Sequence, residues 1–153
     1  MRYLNLIIIT FLLILPSITS AFPIPDDKEV SFDVVRKNKI IGNLTTKFIE
    51  DKDNLVLHSV LNINVKILFI PAYKFFQETT EIWHNKNFIS IDGFTDFEDD
   101  REYKIKGEDT EGFFRVTGMD GLLELDENII PLNYWNKGIL KEKELFDTQK
   151  GIV

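Results

Sequence analysis

The stretch LVLHSVLNINV, Leu55 to Val65, constrains the fold more than any other. It alternates apolar and polar side chains with the two-residue period of a half-buried strand. Leu55, Leu57, Leu61, Ile63 and Val65 share one face, with Ser59 as the exception, while His58, Asn62 and Asn64 fall mostly on the other. Strands usually run about 3–10 residues, so one this long suits a strongly curved sheet or a barrel wall.

The same rhythm governs most of the chain. VSFDVV sets Val30, Phe32 and Val34 against Ser31 and Asp33, RKNK supplies a turn, and IIGNLTTKFIE resumes the strand from Ile40 to Glu50. Gly42 inside that strand marks a bulge or a bend. DKDN, Asp51 to Asn54, is the next turn, because Asp and Asn bond their own backbone and tolerate left-handed conformations. Pro71 in ILFIPAYKFF cannot donate to a ladder, which predicts a bend or an edge rather than a central strand. YKFFQETTEIW, FISIDGFTDF, EYKIKGE, FFRVTG and GLLELD follow, joined by HNKN, FEDDRE, EDTEG and GMDG. Strands about 10 residues apart with tight turns predict an antiparallel meander, and no βαβ crossover interrupts it. Only YWNKGILKEKELF has the makings of a helix of two or three turns, and Gly138 weakens it. The fold class is therefore mainly β: a single curved antiparallel sheet, open or a partial barrel, with one short helical segment near the C-terminus. Paired aromatics such as Phe75-Phe76 and Phe113-Phe114 put bulk on both faces, so a sheet of this kind needs a helix, a partner or a hydrophobic ligand against its second face.

Residues 1–21 stand apart from this rhythm. Arg2, the apolar run Leu6–Leu15 and the small residues before Phe22, with Thr19 and Ala21 at the −3 and −1 positions, have the order of a secretory leader. The apolar run is short against the about 20 residues of a bilayer span, although an uncleaved anchor is the alternative. The expectation is an exported protein, periplasmic or secreted, with a leader at 1–21, an extended lead-in at 22–29 (FPIPDDKE) and a β domain at 30–153. The leader contributes one Arg and no acid, so its removal takes the net charge from −7 to −8. Such a balance argues against nucleic acid, whose affinity comes from Lys and Arg at phosphates, and against an anionic lipid surface by net charge alone. The membrane is then expected to meet the chain only through the leader. Cysteine is absent, which removes disulfides, thiolate metal sites and thiol nucleophiles together. The sequon NLT at Asn43 matters only in a eukaryotic secretory route.

Few residues offer chemistry. Asp96, Glu98, Asp99, Asp100 and Glu102 present oxygen to a cation but lack the spacing of a calcium loop, and a solvated hairpin turn is the simpler account. Glu78 and Glu81, three apart on a strand, point to opposite faces and cannot form an acid–base pair through that strand. His58 and His84 stand isolated, with neither a metal spacing nor a nucleophile elbow beside them. No catalytic residue, metal or cofactor is assigned. Trp83, Tyr134 and Trp135 can line a pocket or simply fill a core.

Several stretches resemble exported bacterial β-sheet domains classed as families of unknown function: FDVV with the following turn and IIG, the run YKFFQETTEIWHNKNFISIDGFTD, PLNYWN, and LFDTQKG. HNKN and EDDRE depart from that pattern where a Gly turn is usual, which leaves the turn types open. The resemblance implies a curved sheet like those of periplasmic lipoprotein and lipid carriers, with a helix or two across the concave face. It also implies that LFDTQKGIV opens a hairpin continued beyond Val153; the alternative is that Ile152 and Val153 simply pair at an edge. The expected function is non-enzymatic binding of a lipid or other apolar ligand in the cell envelope, driven by about 25 cal/mol per Å² of apolar surface removed from water. Leu57, Leu61, Phe69, Phe76, Trp83 and Trp135 are the expected lining. An envelope protein paired on an exposed strand edge is the alternative, and a hydrolase using Glu81, His58 or His84 a third.

Overall fold

The computed structural model describes residues 24–98 and 101–153. The leader at 1–21, the first residues of the lead-in, and Asp99 and Asp100 lie outside the described residues. Eight strands follow one another: β1 (Glu29–Arg36), β2 (Lys39–Asp51), β3 (Asn54–Ile67), β4 (Ile70–His84), β5 (Asn87–Asp96), β6 (Glu102–Thr110), β7 (Phe113–Gly118) and β8 (Gly121–Asp126). Each pairs antiparallel with its sequence neighbours, in the order β1 to β8, so the sheet is a pure meander with β1 and β8 at its open edges.

Irregularities in the ladders bend this sheet. Val34 faces Gly42 while Val35 faces Ile40, so Ile41 is an extra residue beside Gly42. A Cβ on Gly42 would stand 2.1 Å from the Asn62 carbonyl oxygen of β3, which explains the glycine: the bent strand touches its neighbour there. A second bulge pairs Lys66 with Pro71 and Val65 with Tyr73. β4 is central, since β3 and β5 flank it, but its pairing with β5 begins only at Phe76. Pro71 therefore sits in a part of β4 that has a neighbour on one side alone. A third bulge, at Ile89, lets both Phe88 and Ile91 face inward although they are three residues apart.

The inner face of the sheet is covered by the chain after β8. The helix of two or three turns expected in this region is a five-residue 3₁₀ turn, Lys137–Lys141, because Gly138 and the Asn136 cap leave only a short run of helical pairing. In place of a helix, an extended strap crosses the face. Leu132 donates its amide to Phe146 (2.8 Å) and Phe146 donates to Ile130 (3.0 Å), so the strap holds itself together around the 3₁₀ turn. Further on, Asp147 and Ile152 form one antiparallel bridge. Phe146 is fully buried against Phe114 of β7, and Trp135 meets Phe48 of β2 and Trp83 of β4 edge-on at 5.7 and 5.5 Å. One strap thus reaches side chains from strands far apart in the meander, which requires the sheet to curl around it. Gly107 of β6 serves the same core: a Cβ there would stand 2.6 Å from the Phe114 ring, which stacks on Phe88 of β5 at 4.6 Å.

Two substitutions test these contacts. Phe146→Ala should lower unfolding free energy by about 3–5 kcal/mol in a urea titration, the usual cost of emptying a buried aromatic site. Gly42→Ala should cost about 1–3 kcal/mol by forcing β2 away from β3.

Candidate functional site

The inner face divides into three zones along the strands, and β2, β3 and β4 contribute to all three in register. At one end Phe48 of β2, Leu55 and Leu57 of β3, Trp83 of β4 and Phe88 and Ile91 of β5 form a closed aromatic and aliphatic plug with Phe114, Phe146 and Trp135. Two residues along, the same faces turn polar: Thr46, Ser59, then Gln77, Thr79 and Glu81. Further still they become apolar again, as Leu44, Leu61 and Ile63, Tyr73 and Phe75. A meander with alternating side chains produces such belts whenever neighbouring strands change character at matching ladder positions.

The middle belt is built from hydrogen bonds. Thr46 and Ser59 share one at 2.8 Å, and Gln77 Nε2 donates to Thr148 Oγ1 of the strap at 3.2 Å. Trp83 Nε1 donates to Glu81 Oε2 at 2.9 Å, with Asn133 Nδ2 of the strap at a longer 3.5 Å. Glu81 is fully buried, and removal of its carboxylate from water raises its pKa from 4.5 to about 7, against the two hydrogen bonds, which pull it down. The belt encloses a cavity of ≈ 60 Å³, lined also by Asn133, Asp147 and Gln149 of the strap. At about 10–15 Å³ per water, that is room for a few water molecules or one small polar group.

Beyond the belt lies the open cleft, ≈ 620 Å³ in volume, between the first four strands, Phe97, and the strap residues Tyr134 and Gln149. Its wall is apolar apart from Asp33, the Tyr73 and Tyr134 hydroxyls and Gln149. Leu44, Leu61, Tyr134 and Gln149 line both the cleft and the polar cavity, so the two are neighbours sharing a wall.

The six residues expected as lining are dispersed by this geometry. Leu61 lies on the wall of the cleft. Leu57, Trp83 and Trp135 belong to the plug. Phe76 is on the outer face, tilted against Phe94 at 6.3 Å, because its neighbour Phe75 takes the inward position. Phe69 is 96% exposed at the β3–β4 turn. The cleft's aromatic wall comes instead from Phe32, Tyr73, Phe75, Phe97 and Tyr134; Tyr134 is one of the pocket candidates read from the sequence, and the alternation in β1 hints at Phe32.

Glu81 is parted from the other ionisable candidates. His58 is on the outer face with Glu78 (3.3 Å) and Thr80 (3.4 Å), and His84 closes β4 against Asn54 (2.8 Å) and Asn85 (2.9 Å). Of the acidic turn, Asp96 Oδ1 accepts from the Glu98 amide and Glu98 Oε1 meets Lys74 at 3.5 Å. Among the described residues no group of three or more His, Asp or Glu side chains is placed to hold a metal ion.

A family model described as a domain of unknown function (DUF6134) matches residues 32–153, from β1 through the strap. No curated protein and no solved structure matches the chain.

The buried carboxyl makes stability depend on pH with a definite sign. The folded state holds the Glu81 proton up to about pH 7 and the unfolded state releases it near 4.5, so folding weakens as pH rises between these values. The penalty above pH 7 is of order 3 kcal/mol. Glu81→Gln should remove that slope, leaving stability at pH 5 little changed and raising it at pH 8, as read from urea midpoints at the two pH values.

Proposed function

We propose, for a chain that belongs to the DUF6134 family, a non-enzymatic binding function: an amphipathic ligand held in the open cleft, its apolar part against Leu44, Leu61, Ile63 and Phe75 and its polar end toward the belt. The observation that carries this reading is the junction of two unlike spaces. An apolar cleft of ≈ 620 Å³ falls within the about 300–1,000 Å³ of small-molecule sites, and it adjoins a polar cavity with Gln77, Thr79 and Glu81 on its wall. A purely apolar molecule would leave the belt unused, and a purely polar one would leave the aromatic wall wet. Removing that wall from water supplies the binding energy, and the belt sets orientation through hydrogen bonds. The head group favoured by a buried carboxyl that is neutral below about pH 7 is an uncharged hydrogen-bonding one, such as a hydroxyl or amide, or a cation at higher pH. The place of action is the cell envelope, on the strength of the leader-like segment at 1–21.

Native mass spectrometry of the chain recovered gently from exporting cells should reveal a lipid-sized adduct, and a fluorescent fatty-alcohol probe should bind and be displaced by it. Leu61→Glu, which puts a charge on the shared wall, should weaken probe binding at least about tenfold, or 1.4 kcal/mol, with the circular dichroism spectrum unchanged. A ligand-free mass together with no probe binding would overturn the reading.

A further inference from the structure

The end of the sheet where the cleft opens carries the β1–β2, β3–β4, β5–β6 and β7–β8 turns; the first two are neighbouring hairpin tips, and the β3–β4 tip has an unusual composition. Its two-residue turn is Leu68-Phe69, flanked by Ile67 and Ile70, and all four side chains are exposed: 63%, 86%, 96% and 68% in chain order. Both turn residues have positive φ, 50° and 70°, as a type I′ turn requires. Such turns favour Asn and Gly, since bulky side chains are disfavoured there. The chain follows that preference more closely where it forms comparable turns with Lys37-Asn38 and Asn85-Lys86. Among the described residues, only at the β3–β4 tip are both left-handed positions filled by large apolar residues, held in solvent. Pairing with β2 stops at Ile63 and with β5 at Phe76, so the tip stands clear of the sheet on both sides.

The charges around it are equally uneven. Residues 36–41 and 64–75, the two tips and their arms, contain Arg36, Lys37, Lys39, Lys66 and Lys74 and no acid, a charge of +5 in a chain of −7. Lys74 meets Glu98; Arg36, Lys37, Lys39 and Lys66 are exposed. Val35 and Ile40 add exposed apolar surface on the neighbouring tip. At the opposite end of the sheet the turns are Lys52-Asp53, Asn85-Lys86 and Glu111-Gly112, with no apolar residue among them.

From this we infer that the β1–β2 and β3–β4 tips dock on an anionic lipid bilayer. Leu68 and Phe69 enter the boundary between head groups and acyl chains, and Arg36, Lys37, Lys39 and Lys66 meet the phosphates. An apolar apex with cations set behind it is the arrangement that fits this interface, where burial extends about 5–10 Å and each Lys or Arg near the surface adds attraction. The acidic β5–β6 turn, with Glu98 and Glu102, lies at the same end, so repulsion tilts the molecule to present the β1–β2 and β3–β4 tips rather than the whole end. Phe32 and Val34 of β1, Ile63 of β3 and Tyr73 of β4 lie just behind these tips and line the cleft, so docking brings the mouth of the cleft to the lipid.

The absence of cysteine makes the test direct. A single environment-sensitive fluorophore on the full-length Phe69→Cys variant is compared with one on Asp53→Cys at the opposite end. With vesicles of equal parts phosphatidylcholine and phosphatidylglycerol, the first label should shift to the blue and brighten while the second stays unchanged. Lys37→Ser/Lys39→Ser/Lys66→Ser in the Phe69→Cys background should weaken the response about a hundredfold, taking about fivefold for each cation. The inference is overturned if position 69 stays unchanged, if position 53 responds as strongly, or if phosphatidylcholine alone gives an equal response unaffected by the triple substitution. A blue shift that grows with protein concentration without vesicles would also overturn it, in favour of a second copy at the tip. The label reports on the tip alone, so the result does not depend on what the cleft holds.

Discussion

A sheet one layer thick has two faces and cannot bury either by itself. Everything else in this molecule follows from how that constraint is met. The chain returns across one face as an extended strap, and the sheet curls until Phe48, Trp83 and Phe114, on strands two to five places apart, all reach Trp135 or Phe146. Curling concentrates apolar surface where the strap is anchored and leaves it open where the strap does not reach. The plug and the cleft are therefore two outcomes of one arrangement. The polar belt lies where the strap's own polar groups, Asn133, Thr148 and Gln149, need partners on the sheet.

Much of this was legible as rhythm. Alternation and turn chemistry mark the strands because each strand has one covered face and one wet face, and Gly42 announces its bulge because no side chain fits there. What the alternation could not convey is what the inward residues do once they are inside. Ser59 reads as a flaw in a run of leucines, yet it pairs with Thr46 and belongs to the belt. Glu81 and Thr79 look like the outer residues of a two-faced strand and are buried. Phe75 and Phe76 are indistinguishable by composition, and only the register against β3 and β5 separates wall from exterior. The bulge at Ile89 shifts the phase of β5 without any glycine to mark it. A helical or loop crossing of the face is implied by the family resemblance, but its extended course was not legible, because a segment without a repeating pattern has no periodicity to read.

The buried carboxyl is the one place where the fold works against itself. Burying Glu81 weakens the folded state at neutral pH, and neither Trp83 nor Asn133 restores what desolvation takes. A neutral glutamine of similar bulk would keep a hydrogen-bonding oxygen for Trp83 and Asn133 without that cost. The place of Glu81 on the wall of the polar cavity ties that weakness to the proposed recognition of a head group, a common location for residues that lower stability in favour of function.

The meander also orders the events of folding. Every ladder joins strands adjacent in sequence, so the sheet can grow hairpin by hairpin with short loops closed at each step. The strap is different: the bond between Gln77 and Thr148 spans 71 residues and that between Glu81 and Asn133 spans 52. Those contacts carry the largest loop-closure cost and have nothing to rest on until the sheet exists. By that reasoning the strap is expected to dock after the sheet has formed. The two cavities share that boundary, so the part of the protein that encloses them is the part that can open while the eight strands stay paired.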